Sequence, residues 1–290
     1  MRRLIINADD FGLTLGINRA IVEAHTRGMV TSTTLMANGA ARDAATELVA
    51  SNSHLSVGCH IVLVDGKPIL APEKIASLVE NRGNAAQLRE KLAGMAANAL
   101  LGRLDPEHIE AEATAQIRLL QEKGISLTHF DTHKHTHIVP SVLRPLLRAA
   151  KACGIGALRN PFGPRLPLSL RDLRQRPNLW KRFLEVKVLA TFASSFRRTV
   201  AQFGLCTPDG SFGVVSTGAL DSELFAAIVD CIPDGTWEFV CHPGYNDSEL
   251  ASVRTRLRES RQKELEVLTS AAAREALDRR GIQLISYREL

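Results

Sequence analysis

Short apolar runs alternate with amphipathic stretches along the whole chain. The first run, "RRLIINA" at 2–8, predicts a buried strand that surfaces at two adjacent carboxylates, Asp9 and Asp10. Next, "LGINRAIVEAHTRG" at 15–28 carries apolar residues at helical spacing, with Arg27 in the last turn and Gly28 as the stop. The alternation continues with strand "TSTTLMAN" (31–38), helix "GAARDAATELVAS" (39–51) and strand "LSVGCHIVL" (55–63). A loop through "VDGKPILAPEK" leads to a long helical stretch at about 84–123, broken at "LDPEH". There Asp105 suits a helix N-cap and Pro106 the first helical position.

Further on come strand "ISLTHFDTHKH" (125–135), helix "PSVLRPLLRAAKACG" (140–154) and a short strand "GALRNP" (156–161). The series closes with strand "SFGVVST", helix "DSELFAAIVDCI", strand "TWEFVCHPG", a charged helical region at 248–279 and strand "IQLISY". About eight strands separated by helices imply parallel pairing through right-handed crossovers, hence an α/β fold. A parallel β/α (TIM-like) barrel is preferred to an open doubly wound sheet, because no G-x-G-x-x-G follows the first strand.

Composition narrows the class. The chain has 290 residues, 45% hydrophobic and 23% charged, which suits one soluble domain over 1–290. No apolar run reaches the roughly 20 residues that span a bilayer, and the first residues lack the apolar core of a signal peptide. A cytoplasmic location is therefore the expectation. Five scattered cysteines, with no C-x-x-C pair, argue against a disulfide framework or zinc knuckle. Cys59 and Cys241 read as small buried thiols lining strands.

The net charge of +5 is uneven: residues 159–198 hold ten Lys/Arg against Asp172 and Glu185. So local an excess excludes a general nucleic-acid binder and points to one segment that meets something anionic. Four of the twelve prolines fall at 161–177, which marks an irregular insertion or lid at about 160–205. Within it Trp180, Leu184, Val188, Phe192 and Phe196 recur every four residues, with Phe183 beside them and Lys181, Arg182, Arg197 and Arg198 around them. That pattern fits a lid helix packed on the barrel mouth. It also fits a basic amphipathic surface at 160–200 that touches a lipid-like substrate or makes peripheral contact with a membrane.

In a parallel barrel the functional residues collect at the C-terminal ends of strands. Six of the nine histidines fall there, with Asp9, Asp10 and Asp131. "THFDTHKHTH" sets His129, Asp131, His133, His135 and His137 at alternate positions, which share a face while the chain stays extended. Extension must fail before Pro140, so the later histidines fan into a loop. Taken singly, His60 reads as a core histidine and His242, before Pro243–Gly244, as a turn residue. Together at the strand ends they predict a site for one divalent cation, with three protein ligands and a position left open for water. Adjacent strand residues point apart, so one of Asp9 and Asp10 can bind the ion while the other takes a proton from activated water. His242 would protonate a leaving amine. Amide hydrolysis is the reaction this arrangement suits.

"NADDFG", "GCHIVL", "HFDTHKHTH" and "HPGY", in this order between Leu4 and about Asp247, resemble the YdjC-like carbohydrate deacetylases, which include chitooligosaccharide deacetylases. The resemblance implies a distorted β/α barrel, a divalent metal (zinc or magnesium) and removal of acetyl groups from N-acetylated sugars. It implies Asp10, His60 and His133 as metal ligands, Asp9 as general base and His242 as acid. Asp131, His135 and His137 become substrate-contacting or supporting groups. Nitrogen ligands lean towards zinc or another transition metal. The basic, aromatic-rich segment and "RNPFGP" look most like the hopanoid-biosynthesis-associated branch, whose implied substrate is a hopanoid-linked N-acetylglucosaminyl lipid at the inner face of the membrane.

Three other readings stand beside it: the same chemistry on soluble chitooligosaccharides, a non-catalytic sugar- or lipid-binding barrel, and a metal-free glycoside hydrolase. The last needs carboxylates facing each other across about 5–9.5 Å, which adjacent Asp9 and Asp10 suit poorly. Oligomeric state, a homodimer included, is open at this stage.

Overall fold

A computed structural model of the chain describes residues 1–82, 85–164 and 190–290. In chain order the strands are β1 (Arg2–Phe11), β2 (Ser32–Leu35), β3 (Ser56–Ile61), β4 (Val79–Arg82), β5 (Ala85–Leu88), β6 (His129–Thr132), β7 (Ala157–Leu158), β8 (Gly210–Phe212), β9 (Gly235–Cys241) and β10 (Ile282–Ile285). Eight of them form one sheet in the order β7-β6-β3-β2-β1-β9-β8, with β10 also paired to β1. Every pairing in that sheet is parallel. The two ends of the order approach each other. A parallel bridge joins Ala157 to Cys206, just ahead of β8. Beyond it the Asn160 side chain donates to the carbonyls of Pro208 and Asp209, at 3.1 and 3.0 Å. The sheet is thus a parallel α/β half-barrel, consistent with a distorted β/α barrel.

β1 lies at its centre and is buried from Leu4 to Phe11, as a parallel strand covered on both faces must be. Along one edge it holds β9 from Arg2 to Ala8; along the other, β10 takes Arg2–Ile5 and β2 takes Asn7–Phe11. Around this sheet the helices bury the face their spacing predicts. In Pro140–Ala152, for example, Val142, Leu143, Leu146, Leu147, Ala149 and Ala150 are buried while Arg144 and Arg148 face outward. The helix Pro106–Glu122 starts on the expected cap, with the Asp105 carboxylate accepting the Glu107 N–H at 2.9 Å. Its buried Gln116 and Glu112 then pin the chain leaving β3. Gln116 exchanges two hydrogen bonds with the Val62 backbone, and Glu112 accepts from the Ile69 and Leu70 amides.

Several elements differ from the sequence expectation. The helix expected from about residue 84 begins only at Leu92, because Ala85–Leu88 pairs antiparallel with Val79–Arg82. Gly83 and Asn84, which separate those strands in sequence, are poor helix formers. The charged region 248–279 is three helices, Ser248–Ser252, Glu259–Leu268 and Ala271–Arg279. The strand expected at 125–135 keeps only His129–Thr132, and that at 156–161 only Ala157–Leu158.

Most of the expected insertion, including Trp180, Lys181, Arg182, Phe183, Leu184 and Val188, lies outside the described residues. Of its aromatic stripe, Phe196 is buried on the helix Ala193–Phe203 and packs edge-on against Phe162, with ring centres 5.4 Å apart. Arg197 and Arg198 on the same helix are exposed. Among the described residues no helix is long and apolar enough to cross a membrane. Cys59 and Cys241 are buried free thiols on their strands, as expected.

Candidate active site

The site begins where β1 stops being regular. Its register with β2 shifts between Ala8 and Phe11, and Asp10 adopts a left-handed backbone with φ 67°. Such a conformation is costly for a residue with a side chain and is kept where surrounding contacts enforce it. Gly12 follows at φ 87°, where a Cβ would meet the Leu35 side chain at 2.9 Å. Its amide donates to the Asn18 side chain at 2.7 Å. The kink gives the two neighbouring carboxylates different partners, which is how adjacent like charges share one buried strand end.

Asp10 turns towards two histidines from other strands. Its Oδ1 lies 3.5 Å from His60 Nε2 and 3.6 Å from His133 Nδ1, and those nitrogens are 3.3 Å apart. Donors bound at roughly 2.0–2.2 Å around a tetrahedral ion stand about 3.3–3.5 Å from one another. Asp10, His60 and His133 therefore fit a small divalent cation without rearrangement, and the structure presents a possible Asp/His metal site. His60 is oriented for it: its Nδ1–H donates to Asp131 Oδ1 at 2.7 Å, which turns Nε2 towards the cluster. Gly58 of β3 has no Cβ to block the neighbouring His129 ring, which a Cβ there would meet at 2.6 Å. Burial works against a charged His60, but the Asp131 carboxylate outweighs it and raises the imidazole to about 9. The pocket therefore calls for a positive charge, carried by a proton or by a cation.

Asp9 turns the other way, into a buried ion network. Arg159 is fully buried and grips it with two parallel bonds, Nη1 to Oδ2 at 2.7 Å and Nη2 to Oδ1 at 2.6 Å. The same guanidinium contacts Asp131 and donates through Nε to Glu238 Oε1 at 2.9 Å. Glu238 in turn accepts from Ser211 Oγ at 2.9 Å and Tyr287 Oη at 2.8 Å. Asn7 donates to Asp9 Oδ1 at 3.0 Å, and the Thr34 hydroxyl sits among Asp9, His60 and Asp131. Burial raises the Asp9 carboxyl, but the Arg159 charge and hydrogen bonds outweigh it and hold Asp9 well below the usual carboxylate range. For Asp10 burial is likewise overcome, chiefly by the Arg261 charge.

His242 follows β9 and brings Nε2 to 3.7 Å from Asp9 Oδ2. Burial pushes it down to about 4, with the Asp9 charge opposing, so it is neutral at pH 7. A histidine that is easier to deprotonate in the fold than its ordinary 6.5 contributes stability that is complete above pH 6.5. That contribution is lost as pH falls through 4. His242→Gln is accordingly expected to flatten the acid limb of stability between pH 6.5 and 4, a change on the order of 3 kcal/mol. Thermal unfolding of metal-free protein across that range checks it.

The residues singled out in the sequence divide into three groups. Asp10, His60 and His133 converge; Asp9 and His242 form a second pair beside them; Asp131 links the two by binding both His60 and Arg159. His135 and His137 leave the strand in a 3-10 turn, His133–Ile138, in which Lys134 and His135 have positive φ. His137 Nδ1 pairs with Thr132 Oγ1 at 2.6 Å and its ring lies 6.0 Å from Phe196. His137 is thus part of the wall under the Ala193–Phe203 helix. The sequence reading passed over Arg159, Glu238, Tyr287, Arg261 and Glu264. Arg159 had been counted in the basic segment at 159–198, yet it is buried and belongs to the site. Glu238, a lone acid in the apolar run "TWEFVC", was the one available signal.

Comparison with known proteins agrees with this arrangement. The sequence matches the family described as YdjC-like protein over residues 3–279. It is 33% identical over 289 residues to a carbohydrate deacetylase of Geobacillus stearothermophilus, covering 99% of this chain and 98% of that one. To a carbohydrate deacetylase of Clostridium beijerinckii it is 31% identical, covering 99% and 100%. Among solved structures, an Enterococcus faecalis V583 protein named for cellobiose-phosphate cleavage superposes with a TM-score of 0.76 at 28% identity, covering 99% of this chain and 98% of that one. With its matched region spanning nearly all ten strands and the strand-end cluster intact, the chain belongs to the YdjC-like protein family.

Proposed function

We propose that this protein is a divalent-metal-dependent hydrolase that removes the acetyl group from an N-acetylglucosamine-bearing substrate. The observation that carries the reading is the cluster of Asp10 Oδ1, His60 Nε2 and His133 Nδ1 within 3.3–3.6 Å. It sits among the buried carboxylates Asp9, Asp10, Asp131 and Glu238, which, among the described residues, lie against the buried guanidiniums of Arg159 and Arg261. Carboxylates outnumber guanidiniums there, which favours a bound cation. The named activity of the two deacetylase relatives supports the substrate class.

Asp10, His60 and His133 would hold the ion, which when bound polarises the amide carbonyl and makes water a better nucleophile. The chain's own residues then move one proton. Asp9 Oδ2 keeps a lone pair free of Arg159 on the side of His242 and takes the proton that the attacking water gives up. His242 is neutral at rest, so Nε2 can receive that proton from Asp9 and deliver it to the amine nitrogen as the C–N bond breaks. Acetic acid and a free amine leave, the acid giving its proton to solvent, and Asp9 and His242 return to their starting states. Arg159 holds the Asp9 carboxylate in place and keeps it ionised before and after the transfer.

The substrate we infer is the lipid-linked form, a hopanoid carrying N-acetylglucosamine, handled at the inner face of the membrane. Its support is the segment 159–198, which still holds nine basic residues against two acids once the buried Arg159 is set aside. Acetate release from acetylated chitobiose and from a hopanoid N-acetylglucosaminyl conjugate tests both levels. Release is expected from the lipid conjugate, abolished by chelation and restored by zinc or magnesium. Activity on chitobiose alone removes the lipid reading, and activity that survives complete chelation removes the metal.

A further inference from the structure

We propose that Arg261 and Glu264, one turn apart on the helix Glu259–Leu268, are positioning residues with separate tasks: Arg261 presents Asp10 to the metal, and Glu264 holds the His242 turn. This rests on the metal site proposed above. Both side chains are almost completely buried, at 1% and 2% exposed, where arginine and glutamate persist only when paired. At a spacing of three they share one helix face. That face lies against the C-terminal ends of β1 and β9.

Arg261 Nη2 donates to Asp10 Oδ2 at 2.5 Å. This is the oxygen turned away from the histidines, so the guanidinium fixes the carboxylate plane and leaves Oδ1 as the donor that faces His60 and His133. It also helps to hold the left-handed backbone of Asp10. Arg261 is itself anchored, through Nε to the Leu257 carbonyl at 3.2 Å and Nη1 to the His242 carbonyl at 3.5 Å.

Glu264 acts on the other partner. Its Oε2 accepts the His242 amide at 2.5 Å and its Oε1 the Gly218 amide at 3.5 Å. Two residues on, the Gly244 amide donates to the Arg261 carbonyl at 3.2 Å, and a Cβ on Gly244 would meet the Arg261 side chain at 2.9 Å. The His242–Gly244 turn is thus tied to this helix at three points. None of Glu264's bonds reaches Asp10, His60 or His133, so loosening it displaces the proton-handling imidazole and leaves the metal donors in place.

The test measures zinc affinity by competition with a chromophoric chelator, and kcat and KM for acetate release, in Arg261→Met, Arg261→Lys, Glu264→Leu and Glu264→Gln. Arg261→Met is expected to weaken zinc binding by about 10–100-fold, as losses of outer partners do, with Arg261→Lys intermediate. Glu264→Leu is expected to keep wild-type zinc affinity and KM but lose about 10-fold or more in kcat, within the range for general acid–base groups. Glu264→Gln, whose amide oxygen still accepts the His242 N–H, recovers most of that loss. If Arg261→Met fails to fold, Arg261→Lys carries the affinity readout; if Glu264→Leu does, Glu264→Ala, which likewise cannot accept the His242 N–H, carries the kcat readout. Zinc binding equal in the unaltered chain and in Arg261→Met overturns this assignment alone, as does a uniform loss of affinity and turnover in every variant. No zinc binding by the unaltered chain overturns the metal reading and this assignment with it.

Discussion

Arg159→Met is expected to cost about 3–5 kcal/mol of stability, read as a shift in urea midpoint, because it strips one partner from a buried ion network. Asp9, Asp131 and Glu238 all lose their counter-charge at once, in a place water does not reach. Arg159→Lys should recover little of this. A lysine carries the same charge, but its point-like ammonium cannot span three carboxylates as the planar fork does. Activity in both variants should fall by about 10²–10⁴, the usual share of a positioned acid–base group, since Asp9 would lose its orientation in both and, in Arg159→Met, the charge that keeps it ionised. Full activity in Arg159→Lys would show that the geometry of the guanidinium is unimportant.

His60→Ala should abolish stoichiometric metal binding. It removes a donor and also frees Asp131, so the effect should exceed the roughly 10–100-fold loss that follows from deleting a supporting group alone. Asp131→Ala provides that comparison, because it leaves all three donors present and removes the carboxylate that orients His60, along with its contact to Arg159. Asp9→Asn should behave in the opposite way, keeping about one equivalent of metal while turnover falls by about 10²–10⁴. Metal content by elemental analysis, measured beside acetate release, separates the three. Unchanged metal content in His60→Ala would remove the ligand assignment.

How much of this could be read from the sequence depended on whether a residue looked out of place locally. Asp9 and Asp10 stood out because they end an apolar run, and His60 and His242 because they interrupt one. The strands of the barrel were visible for the same reason. Arg159 did not stand out: it opens a basic segment, and nothing adjacent shows that its partners are Asp9, 150 residues earlier, and Glu238, 79 residues later. Arg261 and Glu264 lie in "ESRQKELEVL", where a buried pair is indistinguishable from the charges of a solvated helix face. Strand ends were overextended for a related reason. "ISLTHFDTHKH" keeps a period of two through His135, but the left-handed backbone at Lys134 and His135 is imposed by the fold, and β6 stops at Thr132. At Ala85–Leu88, helix formers that run on towards the Leu92–Leu100 helix concealed an antiparallel pairing with Val79–Arg82 that only tertiary context selects.

The distance in sequence between β1 and its counter-charges bears on how the molecule is made. Asp10 is synthesised 251 residues before Arg261, an interval of roughly 10–50 s at about 5–20 residues per second. Asp9 waits for its counter-charge until Arg159 is made and Asp10 until Arg261, and the strands that flank the first half of β1, β9 and β10, come only near the end of the chain. A segment in that state favours water over a nascent core, so the barrel must close around its own beginning as a late event. Refolding from urea should follow the same schedule, with helical signal returning first and zinc-binding capacity recovering in the slowest phase.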